Sequence, residues 1–171
     1  MELQIDRVPS PIGPVLLVAD GASLVSLDFE AYQGRLHALL AKRYGHYRLA
    51  RARDPLGASS RLEAYFAGEL GALDEIPVET GGTEFQRAVW TGLRQIPTGT
   101  VTSYGDLAAS LGRPKACRAV GYANSLNPVA IVLPCHRVIG KNRTLTGYAG
   151  GLERKRWLLA HEGANQGASA E

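Results

Sequence analysis

The chain has 171 residues, a mass of 18.3 kDa and a formal net charge of +3. With 45% hydrophobic and 20% charged residues, its composition is typical of a folded protein of one or two domains and excludes an intrinsically disordered chain. The longest apolar run, residues 129–134, is far too short to span a bilayer, and the start MELQIDRVPS lacks the basic and then apolar order of a secretory signal. We therefore expect a cytoplasmic protein with no membrane partner.

The charge is unevenly distributed along the chain. Residues 1–82 carry eight Lys or Arg against 11 Asp or Glu, a net charge of −3, whereas residues 83–171 carry 11 against five, a net charge of +6. The second half is therefore the candidate surface for a polyanion, although ordinary surface variation would explain the same numbers. Cys117 and Cys135 complete neither a disulfide framework nor a four-ligand zinc site, so we predict free thiols and no metal.

Residues 1–82 predict a small α/β domain without a catalytic motif. Its predicted elements are three strands at residues 3–8, 14–19 and 24–29 and two helices at about residues 32–44 and 59–67. Asp20-Gly21 lies between the second and third strands, and this dipeptide provides the positive φ angles that a tight hairpin needs.

Residues 83–171 predict a mostly helical domain. Thr83 and Gln86 can satisfy each other's free backbone amides as a capping box at the start of its first helix. The apolar stripe of that helix consists of Phe85, Val89, Leu93 and Ile96.

The next two predicted helices are short and form a helix-turn-helix. Ser103 can cap a helix over residues 104–111, and Pro114, at a first helical position, begins a second helix that reaches about residue 123. The side chains predicted on one face of the second helix are Lys115, Arg118 and Tyr122. A basic second helix favours nucleic-acid binding, but an alanine-rich packed helix with solvated cations would show the same pattern.

Cys135 is the candidate nucleophile. It directly follows a buried run and lies beside His136 and Arg137, an electropositive setting that favours the thiolate. The alternative is that Cys135 is a small buried side chain without a chemical role, as many free cysteines are.

Glu162 is the candidate partner of the imidazole. Gly163 is a natural stop for the last helix, so Glu162 lies at the negative end of the helix dipole, where a carboxylate is disfavoured unless it has a partner. A histidine ring is one candidate, and it would complete a relay of thiol, imidazole and carboxylate. A solvated terminal glutamate is the alternative.

The motifs in which these residues lie resemble the methylated-DNA-protein-cysteine methyltransferases, which repair O6-alkylguanine. The likeness covers residues 83–163 through the segments TEFQRAVW, IPTGTVTSYGDLA, KACRAVGYANSLNP, NPVAIVLPCHRVIG and GYAGGLERKRWLLAHEG. SPIGPVLLVADGASLVSLDF is similar to the N-terminal domain of the family. The resemblance implies a ribonuclease H-like α/β domain over residues 1–82, and a mostly α domain with a DNA-binding helix-turn-helix and the catalytic site over residues 83–171.

The resemblance also implies the reaction. A single-turnover transferase would move the alkyl group of O6-alkylguanine, and of O4-methylthymine, irreversibly to Cys135 without a cofactor. Glu162 would orient His136, which would take the thiol proton through a water. Tyr104 would donate a hydrogen bond to guanine N3, and Asn127 would hold the turn before the active-site segment.

The implied partner is double-stranded DNA, from which the damaged nucleotide is rotated into the site. Arg118 would fill the vacated place in the base stack while the helix lies in the minor groove. The residues expected at the DNA are Ser103, Lys115, Ala116, Cys117, Arg118 and Ala119, and those expected around the base are Val138, Tyr148 and Ala149. We expect a monomer, because one nucleophile and one groove-binding helix suffice, and the sequence leaves cooperative binding along DNA open.

Three other functions are compatible with parts of the sequence. A related non-catalytic class binds alkylated bases but has another residue at the nucleophile position, so Cys135 argues against it. A transcription regulator would use the helix-turn-helix alone and would leave Glu162 without a role. A Cys-His hydrolase would need an oxyanion hole, for which the sequence offers no obvious motif.

Overall fold

In a computed structural model of the chain, residues 1–141 and 145–164 are described. The chain forms two compact units, one of Met1–Gly81 with Pro128–Val132 and the other of Gly82–Asn127 with Leu133–Glu171. Pro128–Val132 is counted with the first unit because the Leu27 amide donates to the Pro128 carbonyl and the Leu27 carbonyl accepts from the Ala130 amide. The sequence-based division at residue 82 placed this segment in the second domain.

The first unit is built on one mixed sheet with the strand order β3-β2-β1-β4. Its strands are β1 (Glu2–Val8), β2 (Val15–Ala19), β3 (Leu24–Phe29) and β4 (Arg48–Arg51), and its helices are α1 (Gln33–Tyr44) and α2 (Ala58–Phe66). The first three strands are antiparallel neighbours, whereas β4 pairs parallel to β1. The three predicted strands and two predicted helices are confirmed, and β4 is an additional strand.

The hairpin between β2 and β3 depends on both members of the predicted turn, in different ways. Gly21 has φ of 100°, whereas Asp20 is not among the residues with positive φ. The carboxylate of Asp20 instead accepts hydrogen bonds from the amides of Ala22 and Ser23 at 2.9 and 2.8 Å. The aspartate thus shapes the turn through its side chain.

One face of the sheet is covered by α1. Leu36 and Leu40 of this helix are buried against strand residues Leu3, Leu16, Val18 and Val25. Burying a leucine side chain contributes about 1.5–3 kcal/mol, so this apolar face accounts for the association of α1 with the sheet.

The second unit is mostly helical. Its elements are α3 (Glu84–Arg94), β5 (Thr102–Ser103), α4 (Tyr104–Ser110), α5 (Cys117–Ser125), β6 (Val138–Ile139) and α6 (Leu152–His161). The predicted capping box is confirmed, since the Thr83 amide donates to Oε1 of Gln86 at 2.9 Å and the Gln86 amide donates to Oγ1 of Thr83 at 3.1 Å. Among residues 1–141 and 145–164, no helix is long and apolar enough to cross a membrane.

The helices α4 and α5 form the predicted helix-turn-helix, but the start predicted for α5 is wrong. The helix begins at Cys117 rather than Pro114, because the amide of Ala116 donates to the Arg113 carbonyl and closes a separate turn. Lys115 and Ala116 therefore lie in the turn before the helix. Lys115 does not share a helical face with Arg118.

A short parallel strand pairing positions the segment after Cys135 within this unit. The β5 and β6 strands pair in parallel, with Thr102 opposite Val138 and Ser103 opposite Ile139. This pairing places the segment that follows Cys135 beside the start of α4.

Candidate active site

Cys135 is held by its backbone at the start of a 3₁₀ turn, Cys135–Arg137, and is only 5% exposed. Its amide donates to the Leu133 carbonyl at 2.7 Å, across Pro134 with φ of −78° and ψ of 68°, the geometry of an inverse γ-turn. The side-chain amide of Asn127 donates to the same carbonyl at 2.7 Å. One buried oxygen thus links Asn127 to the backbone of the thiol residue.

His136 is completely buried, and its Nε2 lies 2.8 Å from Oε2 of Glu162, whose side chain is also fully buried. Burial lowers the pKa of His136 because it disfavours the imidazolium, although the Glu162 carboxylate opposes this effect. The neutral ring donates from Nε2, since a carboxylate only accepts. This leaves Nδ1 as the basic atom, and it has no hydrogen-bond partner among the described residues.

Glu162 is kept ionised by two partners. Burial alone would raise the pKa of Glu162, but the hydrogen bonds and charge of His136 and Arg137 hold that pKa well below its usual range. Arg137 binds the carboxylate in a fork, with Nε at 2.8 Å from Oε1 and Nη2 at 3.1 Å from Oε2. The guanidinium also donates to the Ile96 carbonyl and to Oγ1 of Thr98. The structure joins Glu162 to His136 by a hydrogen bond, and Arg137 is a second partner of Glu162 that the sequence did not reveal.

Lys155 is a second charged residue that sequence reasoning missed. Its side chain is fully buried, and Nζ donates to the carbonyls of Val138 at 2.7 Å and Thr146 at 3.1 Å. Burial lowers the pKa of Lys155 to about 8. The sequence contained a signal, because Lys155 falls on the same helical face as Leu158 and Leu159, where an apolar residue is expected.

Tyr104 begins α4, and its hydroxyl lies 3.1 Å from Oγ1 of Thr146. Burial raises the pKa of Tyr104, so the phenol is protonated at neutral pH. Gly121 of α5 lies close to the ring, and a Cβ at this position would be 3.7 Å from it. A groove of about 550 Å³ opens beside the tyrosine, lined by residues that include Ser103, Tyr104, Cys117, Ile139 and Lys141.

The residues predicted to contact DNA lie at the start of α5 and in the turn before it. Lys115, Cys117, Arg118 and Ala119 are exposed, and Ala116 is half-buried. Ser103 is also half-buried, and its Oγ accepts from the Asp106 amide at 3.0 Å as the N-cap of α4. The Ser103 hydroxyl therefore has a structural role as a helix cap, in addition to the DNA contact predicted for it.

The three residues predicted around the base lie on two segments. Val138 is completely buried in β6, where its carbonyl accepts the hydrogen bond from Lys155. Tyr148 and Ala149 are half-buried in the segment that leads into α6. Lys155 thus connects the strand of Val138 to the segment of Tyr148.

Both cysteines are free thiols, as predicted, with Cys117 exposed and Cys135 buried. Within residues 1–141 and 145–164, no group of three or more His, Cys, Asp or Glu side chains could hold a metal ion. The buried thiol of Cys135 and the adjacent imidazole of His136, which is held by Glu162, form an arrangement that can act chemically.

Two family models together match most of the chain. The model described as 6-O-methylguanine DNA methyltransferase, ribonuclease-like domain, matches residues 7–80, and the one described as 6-O-methylguanine DNA methyltransferase, DNA binding domain, matches residues 84–164. The chain belongs to the 6-O-methylguanine DNA methyltransferase family. The family resemblance and the two-domain fold class predicted from the sequence are thereby confirmed.

Individual members of the 6-O-methylguanine DNA methyltransferase family match over nearly their full length. The methylated-DNA--protein-cysteine methyltransferase of Salmonella typhimurium is 51% identical over 166 residues, which cover 95% of this chain and 97% of that protein. That of Methanosarcina acetivorans is 45% identical over 157 residues, with coverage of 91% and 95%. A crystal structure of Mycobacterium tuberculosis O6-methylguanine methyltransferase superposes with a TM-score of 0.76, 40% identity and coverage of 94% and 93%. The crystal structure of M. tuberculosis OGT in complex with DNA superposes with a TM-score of 0.77 and 39% identity, and the match covers 95% of this chain and 93% of that chain.

Proposed function

We propose that this protein repairs DNA by transferring the alkyl group of O6-alkylguanine directly to Sγ of Cys135. The observation that carries the proposal is the hydrogen bond of 2.8 Å between buried His136 and buried Glu162, next to a buried thiol. Relatives named methylated-DNA--protein-cysteine methyltransferase support the same reaction. A non-catalytic role in lesion binding would leave this relay without a use.

In the proposed step, Sγ of Cys135 attacks the methyl carbon while the bond from that carbon to guanine O6 breaks. The thiol proton passes through a water to Nδ1 of His136, and the departing electron pair stays on the guanine. Uptake of one proton by the base then gives neutral guanine, so that thiol and O6-methylguanine become thioether and guanine. The protein is not regenerated, and each molecule acts once.

Glu162 favours this proton transfer, and Arg137 holds the Glu162 carboxylate in place. Since Glu162 is ionised, it stabilises the imidazolium that forms on His136 during the step. Arg137 holds the carboxylate through two hydrogen bonds, one of them to Oε2, the oxygen that also contacts His136. The hydrogen bonds among His136, Glu162 and Arg137 are formed without the substrate, so this part of the relay needs little reorganisation.

Tyr104 is the proposed donor to the leaving base. Its phenol is protonated at neutral pH, and a hydrogen bond from it to guanine N3 would neutralise charge that develops on the ring. Val138 and Tyr148 would flank the flipped base, and the backbone amide of Ala149 would contact O6. Asn127 would keep the turn before Cys135 closed through the Leu133 carbonyl.

Double-stranded DNA that contains O6-alkylguanine is the proposed partner. The exposed start of α5 would enter the minor groove, with Arg118 filling the space of the flipped nucleotide and Lys115 near a phosphate. The small side chains of Ala116, Cys117 and Ala119 would allow the close approach. The proposal extends to O4-methylthymine, to a monomer as the active form and to the cytoplasm as its location.

The proposal is tested by quantifying O6-methylguanine in a duplex after addition of substoichiometric protein. The wild type should remove one methyl group per protein molecule and then stop. Cys135→Ser should bind the duplex but remove none, whereas Cys117→Ser, which changes the other thiol, should behave as the wild type. Repeated turnover, or repair by Cys135→Ser, would contradict direct transfer to this cysteine.

A further inference from the structure

Lys155 connects two segments that carry residues of the proposed site. Its Nζ donates to the carbonyl of Val138, three residues after Cys135, and to the carbonyl of Thr146. The Thr146 hydroxyl in turn contacts the hydroxyl of Tyr104 at 3.1 Å. A single ammonium group thus links the segment of the nucleophile to the partner of the phenol.

Burial of this ammonium group calls for a functional reason. An ammonium ion that is removed from water loses several kcal/mol of hydration, which two carbonyl acceptors restore only in part. A leucine at this helical position would match Leu158 and Leu159, which pack on the same face. Retention of a cation here is therefore expected to serve the site rather than the stability of the fold.

The charge of Lys155 also interacts electrostatically with Cys135, the proposed nucleophile. Ionisation of Cys135 raises the pKa of Lys155 against the effect of burial. By reciprocity, the ammonium group stabilises the thiolate of Cys135 by the same interaction. The hydrogen bonds from Nζ to the Val138 and Thr146 carbonyls and the attraction to the Cys135 thiolate are both strongest when Nζ is protonated.

We propose that protonated Lys155 is a positioning residue for alkyl transfer, which holds Thr146 against Tyr104 and favours the thiolate of Cys135. The inference rests on the proposed function, because it assigns a role in that reaction. It adds a protonated Lys155 to the groups that the reaction requires, besides His136 and Glu162. Alkyl transfer should lose rate when Lys155 loses its proton.

The pKa shifts of His136, Glu162 and Tyr104 move these three groups away from the range in which Lys155 titrates. His136 is neutral because burial lowers its pKa, and Glu162 is ionised because the pKa of its carboxyl is held low. The raised pKa of Tyr104 keeps the phenol protonated. Thiolate formation at Cys135 can only increase the rate as the pH rises. A fall in rate through about pH 8 that is absent from Lys155→Arg would therefore report Lys155.

The test is the single-turnover rate of methyl transfer at saturating O6-methylguanine duplex, measured from about pH 6.5 to about pH 9.5, with the affinity for the duplex measured separately. Lys155→Met should lose about 100-fold in rate at neutral pH, with unchanged affinity. Lys155→Arg should recover part of the rate and lack the alkaline fall of the wild type, because a guanidinium keeps its proton. Arg156→Met removes an exposed cation from the same helix and should behave as the wild type.

Wild-type rate in Lys155→Met would overturn the inference, and so would identical alkaline profiles of the wild type and Lys155→Arg. If Lys155→Met does not fold, the comparison of the wild type with Lys155→Arg decides. Absence of transfer by the wild type itself would overturn the proposed function, and the inference with it. A wild type that transfers with no alkaline fall would overturn the inference alone.

Discussion

The imidazole of His136 and the carboxylate of Glu162 are joined by a hydrogen bond of 2.8 Å, and neither side chain is exposed to solvent. The two residues are 26 positions apart in the sequence, on the 3₁₀ turn of Cys135 and at the end of α6. Their contact fixes the orientation of the ring, so that Nδ1 rather than Nε2 is the basic atom. The chemistry proposed for Cys135 depends on this orientation.

Glu162→Gln should slow methyl transfer strongly. The substitution removes the charge that stabilises the imidazolium and allows the ring of His136 to adopt the other tautomer. We expect a loss of about 100-fold to 10,000-fold in the single-turnover rate, the range typical of general base catalysis. Glu153→Gln changes an exposed glutamate of the same helix and serves as the control. A single-turnover rate of Glu162→Gln within about threefold of the wild-type rate would exclude Glu162 from the relay.

The same pair should make the protein sensitive to acid. Both folded-state pKa values are lowered, so the unfolded chain binds more protons and stability falls with decreasing pH. His136 contributes fully to the free energy of unfolding when the pH is above its ordinary pKa of 6.5, and Glu162 does so above its ordinary pKa of 4.5. Each contribution is lost as the pH falls below that pKa towards the lower pKa of the folded state. Each group adds a slope of at most about 1.4 kcal/mol per pH unit.

Urea unfolding at a series of pH values measures this dependence. The free energy of unfolding of Glu162→Gln should lie below that of the wild type at neutral pH, by about 3–5 kcal/mol if buried Arg137 is left without its carboxylate. The difference should shrink as the pH falls below about 4.5. A difference that is independent of pH would show that the charge of Glu162 does not stabilise the fold.

Arg118→Ala should impair repair of duplex DNA more than repair of a single strand. Arg118 is exposed on α5, so its removal should leave the thermal unfolding temperature unchanged. An arginine that fills the vacated stack matters only where a base must be flipped from a duplex. The measurement compares transfer rates on O6-methylguanine in the two substrates.

Lys115→Ala is the matched control for Arg118→Ala, because Lys115 is also exposed but lies in the turn before α5. Loss of a phosphate contact should weaken all duplexes alike and reduce the slope of log affinity against log salt by about 1. If Arg118→Ala reduced the transfer rate equally on the duplex and on the single strand, Arg118 would also be assigned a phosphate contact.

Asn127→Ala should destabilise the protein and slow transfer. Its side-chain amide donates to the buried Leu133 carbonyl, which also accepts from the amide of Cys135. Removing one donor from a buried carbonyl costs about 1–3 kcal/mol, which denaturant unfolding can measure. Ser125→Ala changes an exposed polar residue nearby and should cost much less. Unchanged stability and rate in Asn127→Ala would show that Asn127 does not maintain the turn.

The sequence predicted those parts of the structure that depend on nearby residues. The capping box of Thr83 and Gln86 is an interaction over three positions, and the strands of the first domain have strong apolar patterns. A carboxylate at a helix C-terminus is disfavoured without a partner, which made a histidine ring one candidate partner of Glu162 and left a solvated side chain as the alternative. By contrast, β4 has only four residues and forms by pairing in parallel with distant β1.

The features that the sequence did not predict depend on contacts between distant segments. Arg137 binds both Glu162 and the Ile96 carbonyl, and neither partner follows from the motif around Cys135. Lys155 has its acceptors in two separate segments. The start of α5 was missed because Pro114 is compatible with both a turn and a first helical turn, and only the bond from the Ala116 amide to Arg113 distinguishes them.

The central claim is that Cys135 receives the alkyl group, and peptide mapping by mass spectrometry tests it most directly. The protein is incubated with a duplex that contains one O6-methylguanine, its intact mass is measured, and its peptides are then sequenced. The account predicts one added methyl group per molecule, on the peptide of Cys135 and not on that of Cys117. Tight binding without an adduct, or a methyl group on another residue, would contradict it.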